Sequence, residues 1–568
     1  MSYYTCRLPK VIKTFLPRRA AGLLLLLLFC SSSVAQEMPF DRVSDQYPKN
    51  KNIDVLNYAF DITLEDQSDV IRMVATIDVL FVGPGQHQLR LDLVKTSAEL
   101  DGKGMTVDSV TMGGKTLEFH HQGDELMINL GREMPKSERI QVSVKYDGRP
   151  ALGLIIGPTK YGDHSYFSKN WSSRARNWLA TVDHPYDKAT SEFIVTAPQK
   201  YQVVSNGLMI EETNLGDGNR RTHWKNSVPI APWLYALGVA EFAVQHVGTF
   251  DGKDIQTWVY RQDRDAGFYD FAVPTKKTLA FFTDLVGPYS YEKLANVQAT
   301  SVQGGMEAAS SIFYNEKAVQ GTRPRGWQNV IVHEIAHQWF GNAVTESEWN
   351  HVWLSEGFAT YYTLLYRDYA YGREDFLKGL KDSRAQVIKY YTEQDPDYQV
   401  IPDHLEDLNK VSTAMTYQKG AWTLHMLREL IGVEAYNQGV RSYYAEFKDK
   451  TALTGDFRRH MEEASGRDLS RFFGQWLYQG GVPALEGSWS QQNGQVHIEL
   501  IQTADTYWFE LDVDVEIRLE NGNSKRATLN IRPRQGTIER IPVEGKVVDV
   551  ILDPDTRLLA SWNFQRKK

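Results

Sequence analysis

Residues 330–342 read Val-Ile-Val-His-Glu-Ile-Ala-His-Gln-Trp-Phe-Gly-Asn, and the H-E-x-x-H run at 333–337 within them decides how the rest of the chain is read. Pro324 stands ahead of the run and Gly341 closes it, while Val330, Ile331 and Ile335 recur at the spacing of one helix face, so a helix is predicted. Histidines four apart lie one turn apart on that face, where two neutral imidazoles converge on a zinc ion at about 2.0–2.1 Å. Glu334 projects beside them, placed to take a proton from a water held by the metal. In a chain with 14 His and 71 acidic residues a five-residue match arises by chance on the order of a few per cent of the time. The alternative is two partly exposed histidines on an amphipathic helix, and a third ligand decides between them.

Glu356 follows His337 after eighteen residues, inside Trp353-Leu354-Ser355-Glu356-Gly357-Phe358-Ala359, which reads as the start of a second helix. Two packed helices joined by a loop of this length can bring its carboxylate to the same ion, giving a His, His, Glu set with an open fourth position. Glu346 and Glu348 fall in the intervening loop and are read as solvated.

Two further motifs flank these helices: Gly304-Gly305-Met306-Glu307 upstream and Tyr417-Gln418-Lys419-Gly420 downstream. With the HEIAHQWFGN and WLSEGFA segments they resemble, in kind and order, the gluzincin aminopeptidases of the aminopeptidase N and leukotriene hydrolase family, peptidase family M1. Arg174 to Lys188, with Asp183-His184-Pro185, and Phe472 to Pro483 extend the likeness. The resemblance implies a thermolysin-like catalytic domain with one Zn2+ held by His333, His337 and Glu356, and Glu334 as general base. It implies that Tyr417 stabilises the oxyanion, that the glycines and Met306 meet substrate backbone, and that Glu307 pairs with the free α-amino group of a peptide. Lys419 is also readable as a solvated lysine. Ala308 stands where the family usually has Asn, which puts the local hydrogen bonding in question.

Around this centre the texture of the chain changes twice. From 36 to about 245 apolar residues alternate, as in Leu56, Tyr58, Phe60, Ile62, Leu64, in Ile71 to Phe81, and in Ile140 to Tyr146, predicting an N-terminal antiparallel β domain. From 246 to 482 the spacing is helical, with some strand near the start. From 483 to 568 alternation returns, and Asn521-Gly522 between Phe509 to Leu519 and Ala527 to Ile531 is a hairpin signal, predicting a small β-sandwich. The expected fold class is α+β multidomain, without the C-terminal helical cap of larger family members. Asn170-Trp171-Ser172 is formally a glycosylation sequon and is read as incidental.

The first 35 residues are set apart. Five basic residues and no acid precede the apolar run Leu23 to Phe29 and Ser33-Val34-Ala35, the layout of a cleaved secretory leader. The apolar run is far shorter than the roughly 20 residues that span a bilayer, so no stable membrane insertion is expected. Removing the leader removes both cysteines, Cys6 and Cys30, and leaves 58 basic against 71 acidic side chains, a net charge of -13. Disulfides, thiolate catalysis and cysteine-ligated metal are then excluded, and an acidic exported chain is a poor partner for nucleic acid. The expectation is a periplasmic or secreted enzyme acting on peptides with a free N-terminus. Two alternatives stay open, an epoxide hydrolase of the same family and a catalytically weakened peptide-binding homologue.

Overall fold

The computed structural model describes residues 45–567 apart from 67, 406, 409, 410, 412, 504, 505 and 533–535. Residues 1–35, read above as a leader, and both cysteines lie outside the described residues. Among the described residues no helix is long and apolar enough to cross a membrane.

The alternating segments form strands whose buried residues fall two apart. Ile71, Met73, Ala75, Ile77, Val79 and Phe81 are all buried along Ile71–Phe81. The neighbouring strand Ile53–Leu64 carries a bulge between Val55 and Asn57, so its buried face runs Ile53, Val55, Tyr58, Phe60, Ile62, Leu64, and Leu56 is only half-buried. A bulge adds one residue to one strand and flips every side chain before it, which simple alternation does not anticipate. These strands belong to an eight-stranded sheet that is antiparallel at every junction but one: Ile53–Leu64 pairs in parallel with Ala189–Pro198. More than a hundred residues separate those two strands, leaving ample chain for the crossover that parallel pairing needs.

The middle of the chain starts from a five-stranded sheet of Phe242–Phe250, Lys253–Tyr260, Lys293–Ala299, Ser311–Asn315 and, at the edge, the two-residue strand Gly305–Met306. Helix α1 (Arg264–Leu285) packs on this sheet and on α2 (Arg325–His337). Then come α3 (Trp353–Tyr371), α4 (Arg373–Glu393), α5 (Gly420–Ile431), α6 (Val433–Phe447), α7 (Thr454–Ser465) and α8 (Ser470–Leu477). Helix α3 is buried along most of its length and is the hub, touching α2, α4 and α5. It meets the start of α5 glycine to glycine: a Cβ on Gly357 would stand 3.0 Å from Gly420 Cα. That close approach puts Glu356 beside the turn that precedes α5.

Beyond Pro483 the alternation produces a four-stranded and a three-stranded sheet. The hairpin at Asn521-Gly522 forms as its sequence predicts, pairing Leu511–Leu519 with Ser524–Ile531 in register from Arg518 opposite Ser524, with Gly522 at φ +86°. This C-terminal region is tied to the helices by buried polar contacts: Arg384 of α4 donates to Asp553 and Leu558 O, and His425 Nε2 of α5 bonds Thr556 O at 2.9 Å.

Candidate active site

Helix α2 ends at His337, and the chain turns back at Gly341, whose φ of +110° and close approach to Ser355 Oγ exclude a side chain. The turn brings Ser355 and Glu356 of α3 against the histidines. His333 Nε2 and His337 Nε2 are 3.1 Å apart, and Glu356 Oε2 is 3.4 and 3.2 Å from them. Ligands of a tetrahedral zinc at bond lengths of about 2.0–2.1 Å stand about 3.3 Å from one another, so these three atoms fit its coordination sphere. The second nitrogen of His337 agrees: Nδ1 lies 3.1 Å from Phe340 O, and a hydrogen bond donated there leaves the Nε2 lone pair pointing at the other two donors. Glu356 Oε2 is buried with no hydrogen bond, so the lone pairs that converge here require a cation.

Around this point the charge is overwhelmingly carboxylate. Glu307 Oε1 is buried without a hydrogen bond 4.0 Å from His337 Nε2, and Glu334 joins the same cluster. Burial, then the charge of Glu307, raises the Glu334 carboxyl well above the usual range. Burial and the charge of Glu356 push Glu307 up to about 7. Burial disfavours a charged His337, but Glu307 and Glu356 outweigh it and carry the imidazole up to about 10, the proton standing where a metal's charge would serve. Burial opposes ionisation of Glu356 too, yet His337 and His333 hold it below the ordinary carboxylate range.

The strand Gly305–Met306 runs along Glu334. A Cβ on Gly305 would fall onto the Glu334 carboxyl group, so only glycine lets the sheet edge lie this close to Glu334. Glu307 is held by its own carbonyl, which accepts from Gln338 Nε2 at 2.9 Å and from Asn342 Nδ2 at 2.6 Å. The residues that follow are equally anchored: Ser310 N donates to Gln338 Oε1, Asn206 Nδ2 donates to Ala309 O, and Ala309 N donates to Leu234 O. Ala308 is buried, and these neighbours supply the hydrogen bonding that its side chain lacks. Tyr417 sits on a π-helical turn, Met415–Lys419, with its hydroxyl donating to Glu356 Oε1 at 2.7 Å and its ring stacked on His333.

Comparison with known proteins gives the family of the chain. Residues 271–476 match the Peptidase family M1 domain and residues 56–234 the Peptidase M1 N-terminal domain.

The chain belongs to peptidase family M1.

Among similar M1 proteins, aminopeptidase A of Gloydius brevicauda is 24% identical over 507 residues, covering 83% of this chain and 52% of that protein. Glutamyl aminopeptidase of Rattus norvegicus is 27% identical over 342 residues, covering 58% of this chain and 36% of that protein. The chain thus spans about half the length of the first relative and about a third of the second. A crystal structure of an M1 zinc metallopeptidase from Deinococcus radiodurans shares the fold with a TM-score of 0.65 at 22% identity, over 75% of this chain and 93% of that one.

Within this M1 chain three side chains differ from their sequence reading. Glu346 and Glu348, expected in solvent, are buried: Glu346 lies on the strand Val344–Glu346 paired with Lys450–Ala452, and Glu348 pairs with Lys49. Lys419 is fully buried rather than solvated. Asn170 is buried with both ends of its amide bonded, to Tyr235 O and to Trp178 Nε1, which closes the sequon to modification. Gln338, Asn342 and Ser355 line the site beyond the residues that the motifs single out. For Gln338 and Asn342 the signal is polarity inside the otherwise apolar run 335–344, costly at a buried helix end unless bonded; Ser355, inside Trp353–Ala359, carries the same signal.

Proposed function

We propose that this protein is a zinc aminopeptidase that removes N-terminal residues from peptides. The reading rests on one juxtaposition: three converging metal donors with the unbonded, buried carboxylate of Glu307 beside them. His333, His337 and Glu356 would hold a zinc ion, which would supply Lewis-acid activation of the attacking water and of the scissile carbonyl. Glu334, its proton affinity raised by burial, takes a proton from the attacking water and gives it to the leaving amine. Tyr417, already hydrogen-bonded to the ligand Glu356, donates its hydroxyl to the oxyanion as charge develops. Glu307 pairs with the substrate's α-ammonium, a cation bound in a buried site only where such a partner waits. The free edge of Gly305–Met306 accepts the substrate backbone as an added strand.

The test is hydrolysis of aminoacyl-arylamides and of matched N-acetylated peptides, with and without a chelator. Cleavage of the free-amine substrates alone, abolished by the chelator and restored by zinc, is expected. Cleavage confined to blocked peptides sinks the exopeptidase assignment, and chelator-resistant turnover sinks the metal assignment. We further read residues 1–35 as a cleaved leader of an exported enzyme. The mass of protein recovered from outside the cytoplasm tests this, and an intact N-terminus rejects it.

A further inference from the structure

Lys419 has no part in the reaction just described, yet it is buried two residues from Tyr417. Its Nζ donates to Tyr391 Oη at 2.6 Å and to Gly481 O at 3.2 Å, and stands 4.7 Å from the Tyr391 ring centroid. Among the described residues no carboxylate pairs with it, and burial pushes its ammonium down to about 7. A buried lysine without a counter-ion is costly, and a methionine would fill the space without that cost, so the hydrogen bonds it makes call for an explanation.

Its partners come from opposite sides of the turn. Tyr391 is in the last turn of α4, and its hydroxyl passes a hydrogen bond on to Tyr398 O at 2.9 Å. Gly481 is in the link from α8 to the C-terminal sheets. That link is wedged: Cβ atoms built on Gly480 and Gly481 would both run into Tyr507, whose hydroxyl donates to Asp397 Oδ1 at 3.0 Å. The turn is widened to the π pattern, Gly420 N donating to Met415 O five residues back. Such a turn needs external anchors to aim a side chain within the tolerance that catalysis demands. Gly420 against Gly357 supplies one anchor, and the Lys419 ammonium supplies the other.

We infer that Lys419 is a positioning residue: by tying the turn Met415–Lys419 to Tyr391 and to the carbonyl of Gly481, it aims the Tyr417 hydroxyl at the reacting carbonyl and makes the link to the C-terminal sheets part of the active site. The inference rests on the reading of Tyr417 as the oxyanion donor.

A double-mutant cycle on the zinc-loaded full chain tests it, with kcat, KM, zinc content and Tm measured for Lys419→Met, Tyr417→Phe and the pair. Lys419→Met is expected to lose roughly ten- to a hundred-fold in kcat, with KM within about two-fold and one zinc per chain retained. In the Tyr417→Phe background the same change is expected to cost nothing further. Tyr391→Phe, which removes the Lys419 acceptor together with the hydrogen bond to Tyr398 O, is expected to lower kcat in the same direction and by less; should Lys419→Met fail to fold, the cycle is run with Tyr391→Phe. Equal losses with and without the Tyr417 hydroxyl, or an unchanged kcat, overturn the inference. A Tyr417→Phe variant with full kcat instead overturns the underlying assignment of Tyr417, whatever Lys419 does.

Discussion

At the scale of single residues the site depends on what is missing as much as on what is present. Gly305 has no Cβ because the Glu334 carboxyl group occupies that space. Gly305→Ala is therefore expected to displace Glu334 and lower kcat by about a hundred-fold, with an unchanged circular dichroism spectrum and full zinc content. A variant with wild-type kcat refutes the contact. Glu346 illustrates the opposite case, a carboxyl group placed where solvent does not reach. Burial, and then the charges of Glu356 and Glu307, push it up to about 8, and neither of its oxygens has a hydrogen bond. A carboxyl group whose folded value lies above its unfolded value of about 4.3 is protonated in the fold and ionised in the unfolded chain between the two, so stability falls as pH rises through that window. Glu346→Gln removes the effect. In chelator-treated protein the Tm of the variant is expected to rise relative to wild type between pH 5 and pH 8; a constant difference shows that Glu346 is not held as the neutral acid.

At the scale of elements, His333 and His337 need only one helix, but Glu356 and Tyr417 reach them only through the crossing of α3 with the turn before α5. That crossing is set by two glycines in contact. Gly357→Ala forces the backbones apart by a few tenths of an ångström, because the atom it meets belongs to rigid backbone and not to a side-chain end. The expected cost is about 1–3 kcal/mol of stability. Because Glu356 is the next residue, zinc affinity is expected to fall as well, measured by competition with a metal indicator. A loss of stability with unaltered zinc affinity would show that the crossing does not set the ligand position. The same logic explains Glu307. Its carboxylate is aimed by Gln338 and Asn342, which lie beyond the last residue of α2 and reach back to its carbonyl.

At the scale of the whole molecule, the N-terminal β region is pinned to the loop between α2 and α3. Asp45 accepts from His184 Nε2 at 2.9 Å and from Trp349 N at 3.3 Å, pairs with Lys49 at 3.1 Å, and Lys49 also contacts Glu348. His184 Nδ1 accepts from Tyr186 N, so its proton is on Nε2 and it serves as a neutral donor rather than a metal ligand. Lys188 adds a second tie, donating to Asn342 O and Ala343 O just past the zinc-motif helix. Burial opposes the charge on Asp45, but the hydrogen bond from His184 and the charge of Lys49 hold its carboxyl below the usual range. Stability from a depressed carboxyl group is present above its unfolded value of about 4 and is lost as pH falls below it. Asp45→Ala is expected to cost about 3 kcal/mol near neutral pH, since it leaves His184 Nε2 buried without its acceptor and Lys49 with Glu348 alone. The gap between variant and wild type should narrow below about pH 4. A gap that stays constant down to pH 3 would contradict an ionic role.

The helix periodicity around His333 and His337, the carboxylate eighteen residues on and the alternation of Ile71 to Phe81 are local properties, set by residues within a few turns or one strand. They could be read from the chain alone, as could the order of β, helical and β regions. The parallel pairing of Ile53–Leu64 with Ala189–Pro198, the capture of the Glu307 carbonyl by Asn342, and the burial of Glu346, Glu348 and Lys419 could not. Each depends on partners dozens to hundreds of residues away, and desolvation is a property of the packed molecule and not of the residue type. The bulge at Val55 is a smaller instance, one inserted residue that inverts a face without changing composition. Residue types and spacing thus dictated which chemistry this protein carries. The fold decided which carboxylates lose their water, bringing Glu307, Glu334 and Glu356 together around the two histidines.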